Sequence, residues 1–229
     1  MMLEGAFLWL ADPANWGGNA GIWARLTQHV VFTMAVVVAS AVIAIPLGIA
    51  IGHTKRFHAL VTLASGAARA IPTLGLLTLL ALMLGIGFQA PFIALMVLAF
   101  PPLLAGAYAG VESADPVTVD AARAIGMTEW QVVKSVEIPA ALPVISAGIR
   151  STVLQVAATA TLAAYTSDIG LGRFVFAGMK TNHFEETIGG AILVMALTLF
   201  LDAIFKLIRR ITETSMRKRE GTIAHENQA

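Results

Sequence analysis

Long runs of apolar residues constrain this chain more than any other feature. A helix that crosses a bilayer needs about 20 mostly apolar residues. Five such runs are read here: about 29–52, about 59–86 with an interruption near Pro72, about 90–110, about 139–165 and about 186–208. Inside hydrocarbon every backbone N–H and C=O must be satisfied internally, so runs of this length fold as helices. Charged residues make up 13% of the chain and hydrophobic ones 57%. That is too little charge to cover a soluble domain of 229 residues. The expected fold class is an all-α integral membrane protein with five transmembrane helices and a cytoplasmic loop between spans 3 and 4. Its expected parts are an external segment 1–28, a five-helix domain 29–208 containing the polar loop 111–138, and a cytoplasmic tail 209–229. The last dozen residues are polar and are expected to fray.

Lysine and arginine set the orientation, because they accumulate on the cytoplasmic side. Lys55 and Arg56 lie in one loop, Arg123 and Lys134 in the long polar loop, and Lys206, Arg209, Arg210, Arg217, Lys218 and Arg219 near the C-terminus. The opposite side carries only Arg25, Arg173 and Lys180. The N-terminus is therefore expected outside and the C-terminus inside, as an odd number of spans requires. No basic stretch opens the chain, and Glu4 stands where a signal peptide would have one. Trp9, Trp16 and Trp23 recur every seven residues in a Gly/Asn-rich stretch. They read either as an interfacial anchor or as chance spacing in a loosely ordered tail.

With no cysteine, disulfides and thiolate metal sites are excluded. His29, His53, His58, His183 and His225 show no metal-ligand spacing. The chain lacks the G-x-x-x-x-G-K-[ST] phosphate loop, so it is not expected to hydrolyse ATP. No catalytic residue, metal site or nucleic-acid partner is assigned.

The loop at 111–138 carries the most local information. Asp115-Pro116 reads as a helix start, with Asp capping free N–H groups and Pro in the first turn. A short helix over about 116–125 should end at Gly126, which tolerates positive φ. Thr128 and Gln131 have capping-box spacing for a second short helix. Trp130, Val133 and Val136 or Lys134 should lie near one another on it. Pro139 should stop that helix and open the fourth span. Two short helices at an elbow, presenting an aromatic anchor, form a knob for a partner's groove; the plainer reading is an amphipathic helix on the membrane surface.

Asp120-Ala121-Ala122, Gly126, Val136, Ile138 and Pro139 resemble the cytoplasmic "EAA" loop of permease subunits in ABC importers. The family pattern is Glu-Ala-Ala, three residues, Gly, nine residues, Ile, one residue, Leu-Pro. Asp for Glu at 120, Val for Ile at 136 and Ile for Leu at 138 are its only departures here. Arg69-Ala-Ile-Pro-Thr-Leu-Gly-Leu-Leu-Thr-Leu-Leu80, Ala99-Phe-Pro-Pro-Leu-Leu104 and Ile138-Pro-Ala-Ala-Leu-Pro-Val-Ile-Ser-Ala-Gly-Ile149 resemble the branch that carries glycine betaine, choline and carnitine. That branch often has Gly-Ala-Gly-Gly-Leu-Gly after the fourth span. Here Ser167-Asp168-Ile169 precedes Gly170-Leu171-Gly172.

The resemblance implies the five-helix core of methionine-importer-type permeases, in a bacterial inner membrane. It implies that Asp120, Ala121, Ala122, Gly126, Trp130, Val136, Ile138 and Pro139 form an ATPase-coupling loop. It also implies an ATPase subunit dimer using ATP and Mg, an external substrate-binding protein, a second permease copy (identical or paralogous) and a small-molecule substrate. This chain would bind no cofactor itself. A quaternary ammonium is usually caged by aromatics; no cage is legible here. The same machine for an amino acid, sulfonate or thiamine-like solute is one alternative. An ion-coupled secondary transporter using Arg69, Arg150 and Asp168 is another, and a membrane scaffold that moves nothing is a third.

Within the spans, Pro46 and Pro72 each remove a helical hydrogen bond, freeing the carbonyls of Val42 and Ala68. Arg69, Pro72, Arg150, Tyr165 and Asp168 are candidates for the translocation path. Ionisable residues inside a membrane are costly and tend to be functional. The competing reading has Arg69 and Arg150 satisfying carbonyls or reaching an interface, and Asp168 as a solvated cap. Ser146, Gly148, Ser151 and the alanines of the fourth span suit close helix packing.

Overall fold

The computed structural model describes residues 2–57, 59, 61, 63, 66, 67 and 70–226, with side chains up to Ile211. The described elements are all helical. In chain order they are α1 (Met2–Ala11), α2 (Ile22–Thr54), α3 (Thr73–Leu84), α4 (Gln89–Glu112), α5 (Pro116–Ala124), α6 (Glu129–Val132), α7 (Ile138–Thr159), α8 (Gly172–Thr181) and α9 (Phe184–Glu226). A π-helical stretch, Val133–Glu137, joins α6 to α7, and a 3-10 turn, Ala160–Tyr165, follows α7.

Among the described residues four helices are long and apolar enough to cross a membrane: Ile22–Thr54, Gln89–Glu112, Glu129–Tyr165 and Phe184–Ile211. They coincide with the expected first, third, fourth and fifth spans. The expected second span appears here as α3, whose 12 residues rise only about 18 Å at ~1.5 Å each. The cause is Pro72, which stands extended at φ −67°, ψ 116° as the N-cap of α3. Arg69 and the Ala68 carbonyl lie outside the described residues. Pro46, by contrast, sits inside an uninterrupted α2.

The core is a three-helix seam. Phe32, Val36 and Val37 of α2 meet Leu95 and Ala99 of α4 and Val153 and Val156 of α7. Glycine lets these backbones approach closely. A Cβ on Gly48 would stand 2.6 Å from the Leu104 carbonyl oxygen, and one on Gly106 would stand 3.1 Å from the Cα of Gly148. Of the small residues of the fourth span, Gly148, Ala157, Ala160, Ala163 and Ala164 pack inward as expected, whereas Ser146, Ser151 and Ala158 are exposed. Of the four long helices α4 is the most buried and α9 the least.

Three expectations are corrected. Pro139 does not stop a short helix, because α6, the π-helical stretch and α7 form one continuous helix from Glu129. The N–H of Ile138 reaches back five residues to the Val133 carbonyl. This wider turn gives the following proline ring the room that an α-helical turn denies it. The polar C-terminal stretch, expected to be irregular, is helical in α9 as far as Glu226. The N-terminal segment is not a loose tail. Trp9 packs edge-on to Phe174 with ring centroids 5.2 Å apart, Trp16 lies 5.1 Å from Trp23, and the Trp16 indole donates to the Leu10 carbonyl at 2.7 Å.

Candidate functional site

The polar loop folds into a closed elbow. Asp115 caps α5, accepting from the Val117 N–H at 3.1 Å and the Thr118 hydroxyl at 2.9 Å. These donors hold its carboxyl below the usual carboxylate range, the Thr118 hydroxyl contributing most. At the far end Gly126 has φ +89°. The Gly126 N–H donates to the Arg123 carbonyl and the Met127 N–H to the Ala122 carbonyl, the two bonds of a Schellman turn. Thr128 and Gln131 form the expected capping box. Inside the elbow Ala114, Val119, Ala122 and Val132 are buried, with Met127 and Val136 partly so. Ala122 therefore has the packing role read from sequence, while its neighbour Ala121 faces out. Ile138 is partly buried and Pro139 exposed.

The outer surface is apolar at three points. Val117, Ile125 and Trp130 are 74%, 79% and 71% exposed. Trp130 does not join Val133, which is buried. Such a surface offers an anchor to a partner's groove.

Charge closes the elbow and ties it to the bundle. Arg123 meets Glu129 at two points, 3.1 and 3.0 Å, and Asp120 at 3.4 Å. Glu129 also lies 3.3 Å from His53 Nε2. The other ring nitrogen, Nδ1, is 2.8 Å from Glu137 in the π-helical stretch. His53 and Glu137 are 84 residues apart, and neither was singled out from sequence. The signal available was an ionisable residue at the end of an apolar run, which demands a partner without naming it.

At the opposite end of the bundle Asp168 holds two arginines, Arg25 at 2.9 Å and Arg173 at 3.1 Å. The Arg25 guanidinium also donates to the Asp168 carbonyl. The acidic departure at 167–169 thus matches a buried arginine on α2. Beside it His29 lies 2.8 Å from the Ala157 carbonyl through Nε2, and its Nδ1 accepts from the Leu171 N–H at 3.2 Å. Those partners fit a neutral ring protonated on Nε2. Arg150 pairs with Asp202 of α9, which also takes Lys206 at 2.8 Å. Its partner is a carboxylate rather than a freed carbonyl. Tyr165 is exposed and stacks edge-on with Phe176; Pro72 is also exposed. The structure does not bring Pro72, Arg150, Tyr165 and Asp168 into one cluster of contacts. Among the described residues no three His, Asp or Glu side chains converge on a metal-sized site.

Comparison with known proteins agrees with this geometry. The family described as binding-protein-dependent transport system inner membrane component matches residues 44–218. The carnitine transport permease protein OpuCB of Listeria monocytogenes is 35% identical over 196 residues, 85% of this chain and 90% of the relative. The glycine betaine/carnitine/choline transport system permease protein OpuCB of Bacillus subtilis is 31% identical over 183 residues, 80% of this chain and 84% of the relative. The inward-facing structure of the MetNI methionine ABC transporter matches with a TM-score of 0.68 at 20% identity, covering 84% of this chain and 95% of that one. At that identity the likeness is one of fold.

Proposed function

This chain belongs to the binding-protein-dependent transport system inner membrane component family, as a permease subunit of an ABC importer, and from that premise we propose that it carries a quaternary-amine osmoprotectant such as glycine betaine, choline or carnitine. Relatives with those printed substrates support this reading. A separate ATPase pair supplies the energy from ATP and Mg, an external binding protein delivers the solute, and a second permease copy completes the path. The α3 helix belongs to the second of five spans, with the N-terminus outside and the C-terminus in the cytoplasm.

The observation that carries the mechanism is the elbow. It has a packed apolar interior, exposes apolar side chains outside, and is continuous with the fourth span through the π-helical stretch. ATP-driven closure of the ATPase pair pushes on Val117, Ile125 and Trp130. The push enters α7 directly, because no break separates α6 from it. Arg150 and Asp168 act as paired charges that hold α7 to α9 and the loop after α7 to α2, rather than as ligands of the solute.

The test is an affinity pull-down of the tagged chain from gently solubilised native membranes. An ABC ATPase subunit is expected with the native chain, at least several-fold less with Trp130→Ala. A substrate-binding protein recovered with the chain, titrated with glycine betaine, choline and carnitine, is expected to bind at least one. Binding of none of them would overturn the substrate class and leave the importer assignment standing.

A further inference from the structure

Glu137 is 5% exposed and occupies the π-helical stretch between the elbow and α7. A buried carboxylate without a partner is strongly unfavourable. The partner the structure gives it is His53, in the last turn of α2. The same ring faces Glu129 through its other nitrogen. The Nδ1 contact is a hydrogen bond to Glu137, and the Nε2 contact with Glu129, at 3.3 Å, is a longer polar approach. Glu129 in turn takes Arg123 across the turn at Gly126. A continuous run of polar contacts therefore links α5 through α6 to the end of α2 and back into the π-helical stretch.

We propose that His53 is a positioning residue of the transport stroke, tying the cytoplasmic end of α2 to the elbow. Movement of the elbow then reaches α2 as well as α7, and these two of the three helices that share the core seam move as one body. This inference rests on the coupling role proposed above for the elbow. It adds a residue from the first span, far from the loop in sequence, to the transmission.

Two substitutions separate the contacts. The amide nitrogen of asparagine takes the place of Nδ1, so His53→Asn keeps the bond to Glu137. That of glutamine takes the place of Nε2, so His53→Gln keeps only the contact with Glu129. The chain has no cysteine, so Lys55→Cys and Ser135→Cys can carry the only two nitroxides in each protomer. In the intact transporter with its ATPase, dipolar EPR is expected to give a narrow 55–135 distance for the native residue and for His53→Asn, with and without ATP. For His53→Ala and His53→Gln the distribution should broaden. Glycine betaine uptake by proteoliposomes should fall about tenfold in the same two variants, the scale of losing a charge-assisted bond to a buried group. ATPase recovery should be unchanged in all. An unbroadened distance in His53→Ala, or equal behaviour of the Asn and Gln variants, overturns the proposal. Failure of the native chain to recover an ATPase overturns the coupling reading instead.

Discussion

Gly126 carries the elbow through its backbone alone. A Cβ there meets nothing within 4 Å, yet φ is +89°. A β-branched residue held at such an angle costs about 1–3 kcal/mol. Gly126→Val is therefore expected to insert normally and lose most transport, measured as uptake per inserted copy; full uptake would remove the role assigned to the turn. Asp115 tests the other end of α5. Its carboxyl is held below the ordinary range, so the cap stabilises α5 above that range and is lost as pH falls through the lowered value. Asp115→Asn keeps a capping oxygen without titrating. Protection of the Val117 and Thr118 amides from hydrogen exchange, taken relative to the intrinsic rate at each pH, should fall in acid for the native chain and stay level for the variant. Both residues were legible from sequence, because caps and turns depend on neighbours within a few positions. His53, Glu137, Arg25 and Asp202 were not, because each acquires its meaning from a partner on another helix.

At the scale of elements, the contact between α2 and α4 depends on the absence of side chains at Gly48 and Gly52. A Cβ at the first would stand 2.6 Å from a backbone oxygen, and at the second 2.8 Å from the Val111 side chain. Backbone cannot rotate away as a side chain can, so Gly48→Leu must separate the helices. The expected result is aggregated or poorly inserted protein in size-exclusion chromatography, with Gly66→Leu, an exposed glycine, as the unaffected control. The existence of the long helices was legible because apolar length is a local property. Their ends were less so. The expected break at Pro139 is absent because the π-helical stretch absorbs the proline, whereas Pro72 does stand at a helix start. The two prolines differ in what precedes them in space, which composition does not show.

At the scale of the whole molecule, orientation is the property that decides which end of the bundle meets ATP. Thr118 and Thr181 are both exposed, at the elbow and at the end of α8. In the cysteine-free chain, Thr118→Cys is expected to react with an impermeant maleimide only in inverted vesicles, and Thr181→Cys only in right-side-out ones. The reverse pattern would invert the topology. By itself the sequence determined the membrane class, the helical runs, the capped elbow and the family, because hydrophobic length, capping and turn chemistry are written in neighbouring residues. Only the tertiary structure decided which charges are paired. Arg25 with Asp168, Arg150 with Asp202 and His53 with Glu137 are separated by 143, 52 and 84 residues, and only the packed bundle brings them within hydrogen-bonding distance.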